Sequence, residues 1–133
     1  MYRMILFKAK DRKDGKWVEG LLSKCDNQYT ICDDSGIGIF VDETTICQYT
    51  GHEDDNENKI FENDLIECKE YSNGQLKKHF ISQVEWDYVA TGFTFKDAVF
   101  SWAFMDALTV YECKVVGNVF DNSELMNENG GLN

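Results

Sequence analysis

Leu65-Ile66-Glu67-Cys68-Lys69-Glu70-Tyr71-Ser72-Asn73-Gly74-Gln75-Leu76-Lys77-Lys78-His79-Phe80-Ile81-Ser82-Gln83-Val84-Glu85-Trp86 reads as two extended runs folded about one turn. Asn73 and Gly74 both tolerate the left-handed backbone that a type I′ turn demands, and this turn matches the twist of the strands it joins. Leu65–Tyr71 therefore pairs with the long run Lys78–Trp86 as an antiparallel hairpin.

The same grammar repeats upstream and downstream. The opening run Tyr2–Ala9, rich in large apolar residues, reaches Asp14-Gly15, whose glycine supplies a positive-φ position before Trp17–Leu21. Gln28–Cys32 and Ile37–Val41 flank Asp33-Asp34-Ser35-Gly36, a second hairpin with Gly36 ending its loop. Thr44–Tyr49 reads as a short β-rich piece, and His52–Asn58, with no apolar residue, as a surface loop. Lys59-Ile60-Phe61 re-enters the core, Gly92–Phe95 makes a further strand, and Glu112–Phe120 the last. Asp97–Leu108 fits a short helix or an irregular apolar cover equally well, and its Val99, Phe100, Trp102, Phe104 and Met105 suit burial in the core ahead of a subunit contact. With no proline in the chain, protection of sheet edges falls to charge and glycine. Short strands joined by tight turns predict an all-β fold with at most one or two short helices, a small barrel or sandwich. Residues 1–121 read as a single domain. Residues 122–133 read as a polar, flexible tail with one turn of helix around Glu124-Leu125-Met126.

Composition bounds the function. The chain has 133 residues, 43% hydrophobic and 14% aromatic, enough for one real core and against general disorder. A net charge of −11, from 13 basic and 24 acidic residues, disfavours a general phosphate-backbone binder. No apolar run approaches the roughly 20 residues of a membrane span and the start has no signal-peptide core, so a cytoplasmic address with no membrane partner is expected. The five cysteines, Cys25, Cys32, Cys47, Cys68 and Cys113, are odd in number and form no C-x-x-C pair. They read as free thiols rather than a disulfide framework or a zinc knuckle.

Charge is unevenly spread. Residues 1–24 carry a net +4, while residues 42–67 hold nine acids against Lys59 alone. The acidic run centred on Glu53, Asp54, Asp55 and Glu57 is a candidate surface for a partner protein with a basic face, and opposite-sign regions on one chain also favour a homo-oligomer. Lys8, Lys10, Arg12 and Lys13, with Tyr2, Phe7 and Trp17 on either side of them, form a candidate basic patch of the kind small barrels use for nucleic acid.

Catalytic and metal signatures are weak. Asp54, Asn56 and Asn58 occupy the first oxygen positions of a calcium loop, but Lys59 stands where its turn glycine belongs and Leu65 where its bidentate glutamate belongs. His52 and His79 are too few for a histidine-rich metal site, and no local signature accompanies the Cys47–His52 pair as a nucleophile and base. Neither a G-x-x-x-x-G-K-[ST] nor a G-x-G-x-x-G loop is present. No cofactor, metal or enzymatic activity is expected.

Gln48-Tyr49-Thr50-Gly51, an acidic Asn-containing turn, and Lys59-Ile60-Phe61-Glu62-Asn63-Asp64-Leu65-Ile66 closely resemble the signature of the YopX family of phage and prophage proteins. That signature runs Q-Y/F-T-G, a D/K/N/G turn, then E-I-Y/F-E-G-D-I/L-V/I. Arg3–Asp11 resembles the family opening R-x-I-x-F-R-A-x-D, and Val84-Glu85-Trp86 its V-x-W element. Val116-Gly117-Asn118-Val119-Phe120-Asp121-Asn122-Ser123-Glu124-Leu125 resembles its close. Asn63 replaces the usual glycine, Glu57 or Asn58 the turn glycine, His52 a common leucine and Ser123 a common proline; Asn63 and Asn58 can keep the turn geometry because asparagine tolerates positive φ. The resemblance implies an SH3-like barrel with additional hairpins, a phage or prophage origin and a bacterial host cytoplasm as workplace, and it carries over no catalytic residues. Gln48, Tyr49, Thr50, Gly51, Asn63, Asp64, Gly117 and Asn118 are expected to be structural.

Two functional classes follow. The first is a non-enzymatic accessory protein binding a host or phage protein through its acidic surface. The second is a nucleic-acid-associated module using the basic N-terminal strands.

Overall fold

The Asn73-Gly74 turn closes the longest hairpin of the computed structural model, which describes residues 4–89, 91–96 and 111–127. Asn73 has φ +52° and Gly74 φ +76°, as a type I′ turn requires. The strands it joins, β7 (Asp64–Ser72) and β8 (Gln75–Asp87), pair from Leu65↔Gln83 to Ser72↔Gln75 with a bulge at Glu70/Tyr71.

The remaining described strands are β1 (Phe7–Lys10), β2 (Trp17–Cys25), β3 (Gln28–Cys32), β4 (Gly38–Phe40), β5 (Cys47–Glu53), β6 (Lys59–Phe61), β9 (Gly92–Phe95) and β10 (Glu112–Asn118). A 3₁₀ turn, Glu43–Thr45, and a short helix α1, Glu124–Asn127, complete them. The fold is all-β, built from antiparallel sheets. The chain divides into two units, Met1–Gly51 and His52–Asn133.

In the first unit the strand order is β4-β3-β2-β1-β5. β2 changes partner midway. Trp17–Gly20 pair with β1, and Leu21–Cys25 pair with β3. Gly20 sits at the change, where a Cβ would lie 2.0 Å from the Cys32 carbonyl oxygen, so only glycine lets β3 approach this closely. Ala9, Ile31 and Val41 are buried, with Phe7, Val18, Leu22, Tyr29 and Ile46 packed on them. β4 reaches β1 through one isolated bridge, Asp11↔Val41, rather than through a ladder, and no closed barrel is found among the described residues.

In the second unit a four-stranded sheet runs β10-β7-β8-β9. One face buries Ile66, Cys68, Val84, Phe95 and Cys113 with Ile60 and Tyr111. Phe80 meets Tyr111 edge-on at 5.2 Å between ring centroids. β9 and β10 are the edges of this sheet.

Four local readings are corrected. Thr44 and Thr45 belong to the 3₁₀ turn rather than a strand, because the Asp42 carboxylate accepts the Thr44 N–H at 3.0 Å and Thr44 Oγ1 at 2.7 Å and caps that turn. His52 and Glu53 still belong to β5, so the acidic loop proper is Asp54–Asn58. β2 continues through Cys25 into a tight turn at Asp26 (φ +52°) and Asn27 (φ +63°), two residues that accept left-handed backbone through their short polar side chains. β10 stops at Asn118, where turn hydrogen bonds replace the ladder. The helix read around Glu124–Met126 is present as α1, while the alternatives for 97–108 and the end of the tail lie outside the described residues. Among the described residues no helix is long and apolar enough to cross a membrane.

Candidate interaction site

The acidic loop is held by two carboxylates that accept backbone N–H groups of β10, one of them buried. Asp54 is 7% exposed, and its Oδ1 accepts the backbone N–H groups of Asn56 (2.9 Å) and Asn58 (2.8 Å). Its Oδ2 accepts the Val115 N–H at 2.9 Å and Asn58 Nδ2 at 3.4 Å. Asp55 donates its N–H to the Cys113 carbonyl at 3.1 Å, and its Oδ2 accepts the Cys113 N–H at 2.9 Å. Cys113 and Val115 lie on the edge strand β10, so these carboxylates take N–H groups that would otherwise face solvent as an open sheet edge. Burial opposes ionisation of Asp54, but the N–H donors of Val115, Asn58 and Asn56 outweigh it and hold the carboxyl below its ordinary pKa.

Asp54 is thereby withdrawn from the predicted surface, while Glu53, Asp55 and Glu57 remain exposed. Glu57, rather than Asn58, takes the turn-glycine conformation, with φ +65°. The calcium-loop reading fails for a further reason: the Asp54 oxygens point at backbone donors. Among the described residues no three His, Cys, Asp or Glu side chains converge as a metal site. His79 Nε2 lies 2.9 Å from Glu67 Oε2 across the β7–β8 pair.

The predicted bases fall in two places. Lys8 and Lys10 share one face of β1, with their ammonium groups 4.8 and 5.5 Å from the Trp17 ring centroid. Trp17 is opposite Lys10 in the ladder, which brings cation and ring together. Arg12 and Lys13 are exposed on the β1–β2 turn. A cavity of about 610 Å³ there is lined by Lys10 and Arg12 but also by Asp11, Asp42 and Glu43, so cations and carboxylates alternate around it.

The signature residues tie turns together. Gln48 pairs with Phe7, the Tyr49 N–H donates to the Leu6 carbonyl at 2.8 Å, and Thr50 is half-buried beside them. Gly51 has open space around its Cα and φ +89°, so its requirement is conformational. Asn63, at φ +71°, donates its N–H to the Val84 carbonyl at 2.7 Å. Its Oδ1 accepts Gln83 Nε2 at 3.1 Å, and its carbonyl accepts the Val119 N–H at 3.0 Å. Asp64 is buried, and its Oδ2 accepts the Phe61 N–H at 2.8 Å. Asn118 Oδ1 caps the next turn by accepting the Phe120 and Asp121 N–H groups. Asn122 Oδ1 accepts the Asn118 N–H at 3.2 Å from a position only 2.4 Å from where a Gly117 Cβ would stand. Asn122, read as the start of a tail, is thus part of this turn. The N-rich spacing Asn118/Asn122 was the available signal for it.

These features define a class: a small antiparallel β protein whose conspicuous residues hold turns and cover a strand edge. The chain belongs to the YopX family, whose model, described as YopX protein, matches residues 2–127. Its fold is similar to that of protein EF1440 from Enterococcus faecalis, known from a crystal structure, with a TM-score of 0.59 and 19% sequence identity over 94% of this chain and 99% of that chain. No curated protein matches it.

Proposed function

We propose that this is a phage or prophage accessory protein that acts in the bacterial cytoplasm without catalysis, binding a host or phage protein with a basic surface through Glu53, Asp55 and Glu57. One observation carries the reading. Asp54 and Asp55 pin the loop to β10 by backbone hydrogen bonds, so the outward carboxylates are presented from an ordered segment and little conformational entropy is lost on binding. The net charge of −11 adds long-range attraction toward a basic partner. A second copy can supply that basic surface through its residues 1–24, giving a homo-oligomer. The first unit is taken as an SH3-like barrel, a reading favoured by the change of partner along β2 at Gly20 and the Asp11↔Val41 bridge.

The test is capture of partners from bacterial lysate by the tagged protein, with and without nuclease, compared with the double variant Glu53→Lys, Glu57→Lys. These side chains are exposed, so the fold is expected to survive the change. A nuclease-resistant partner lost in the variant supports the reading; a partner retained by the variant overturns it. The second reading, nucleic-acid binding through Lys8, Lys10, Arg12 and Lys13, is favoured by the lysine pair over Trp17. It requires nuclease-sensitive capture that falls when these four bases are neutralised.

A further inference from the structure

Cys68 and Cys113 are 45 positions apart in the chain and directly opposite each other in the β7–β10 ladder. Both are buried, at 0% and 1% exposure, on the core face of the sheet. The backbone of Cys113 turns its N–H and carbonyl outward, to Asp55. In an antiparallel pair a residue whose backbone groups face away from the neighbouring strand occupies a non-hydrogen-bonded site, where facing Cα atoms come to about 4.5 Å and side chains lie closest. That separation falls inside the range a disulfide spans without backbone movement. Each sulfur also lies near the carbonyl two residues back on its own strand, Ile66 for Cys68 at 3.8 Å and Tyr111 for Cys113 at 3.5 Å.

We propose that Cys68 and Cys113 are a latent cross-strand disulfide, a redox modification site that locks β10 to β7 when the protein meets an oxidising small-molecule disulfide. In the reaction one cysteine, as thiolate, attacks the oxidant's S–S bond and releases one thiol. The second cysteine then attacks the resulting mixed disulfide, forming the Cys68–Cys113 bond and releasing the second thiol. Two protein S–H bonds are lost, two thiols of the oxidant are formed, and the protein is oxidised by two electrons. The neighbouring Cys113 side chain and burial push the Cys68 thiol up from its ordinary pKa, so Cys68 rests protonated. Attack therefore proceeds when the β10 edge opens, and the oxidant enters past Asp54 and Asp55, whose carboxylates rather than another strand hold that edge.

The full-length protein is incubated with oxidised glutathione, in buffer and at sub-denaturing urea. Free thiols are then alkylated and the digest is mapped by mass spectrometry. The expected result is a Cys68–Cys113 cross-linked peptide, a native circular-dichroism spectrum, and a melting temperature roughly 10 °C higher that returns to its starting value with dithiothreitol. Cys25→Ser with Cys32→Ser should leave the cross-link intact, because neither residue takes part. Recovery of both peptides in alkylated form under both conditions overturns the proposal. So does a bond joining either cysteine to Cys25, Cys32 or Cys47, or a cross-link that appears only with loss of the native spectrum.

Discussion

At the scale of single residues the acidic loop separates into side chains with opposite duties. Asp54 satisfies backbone donors of its own turn and of a strand 61 positions away, whereas Glu57, three residues on, faces water from a left-handed backbone. Asp54→Asn keeps the shape but sets an amide N–H against an N–H donor. It should cost about 1–3 kcal/mol in urea unfolding at neutral pH. The pH dependence has a definite sign. A carboxyl held below its ordinary value of 3.8 stabilises the fold fully above that value and loses its contribution as pH falls below it. The gap between wild type and Asp54→Asn should therefore close as acid unfolding is followed below about pH 4. Glu57→Gly removes an L side chain from φ +65° and should raise stability, by up to about 1 kcal/mol after the added unfolded-chain entropy is subtracted. Equilibrium unfolding in urea measures it, and a loss of stability would mean that the Glu57 side chain holds the loop.

Among the elements, β2 and β10 are shaped by what lies beside them. β2 serves two partners in succession because Gly20 lets the Cys32 carbonyl come within 2.0 Å of where a side chain would begin. Gly20→Ala should therefore destabilise by about 3 kcal/mol or more, since the obstructing atom is backbone and cannot rotate away. Gly38→Ala is the matched control on β4. Its Cβ would be 3.8 Å from the nearest atom, Thr30 Cβ, and it should be close to neutral by the same thermal melt. β10 is an edge strand with no proline, and its protection comes from charge, as the composition required. That protection uses Asp54 and Asp55, so reversing their charge would perturb the β10 edge as well as any partner surface. A binding experiment is informative only with the outward residues Glu53 and Glu57.

For the whole molecule, charge is the property that reaches furthest. If the acidic surface draws a basic partner, association should slow as ionic strength rises while dissociation changes little, because exposed charges are screened beyond about 10 Å at 0.1 M salt. Stopped-flow or surface-binding kinetics across a salt series would show it, and a salt-independent association rate would remove electrostatic steering from the account. The turns were legible in the sequence because their residues carry the required backbone preference alone: Asn73-Gly74, Gly15, Gly36 and Asn63 all have positive φ where the pattern placed it. Asp26-Asn27 follows the same rule, but the Cys25–Asn27 stretch has no glycine to mark it. The all-β class was likewise legible, since alternating apolar runs separated by such turns can bury a face only by pairing as strands.

By itself the sequence determined the all-β class, the turns marked by glycine or Asn-Gly and the family, because each rests on conformational preferences and motifs local to a few residues. Only the tertiary structure decided which acid of a continuous acidic run is buried and which faces water. It also decided that Cys68 and Cys113 stand opposite each other and that Asn122 closes a turn. Those outcomes depend on which backbone N–H groups and side chains the folded sheet brings within about 3 Å, and no local preference records a neighbour dozens of positions away.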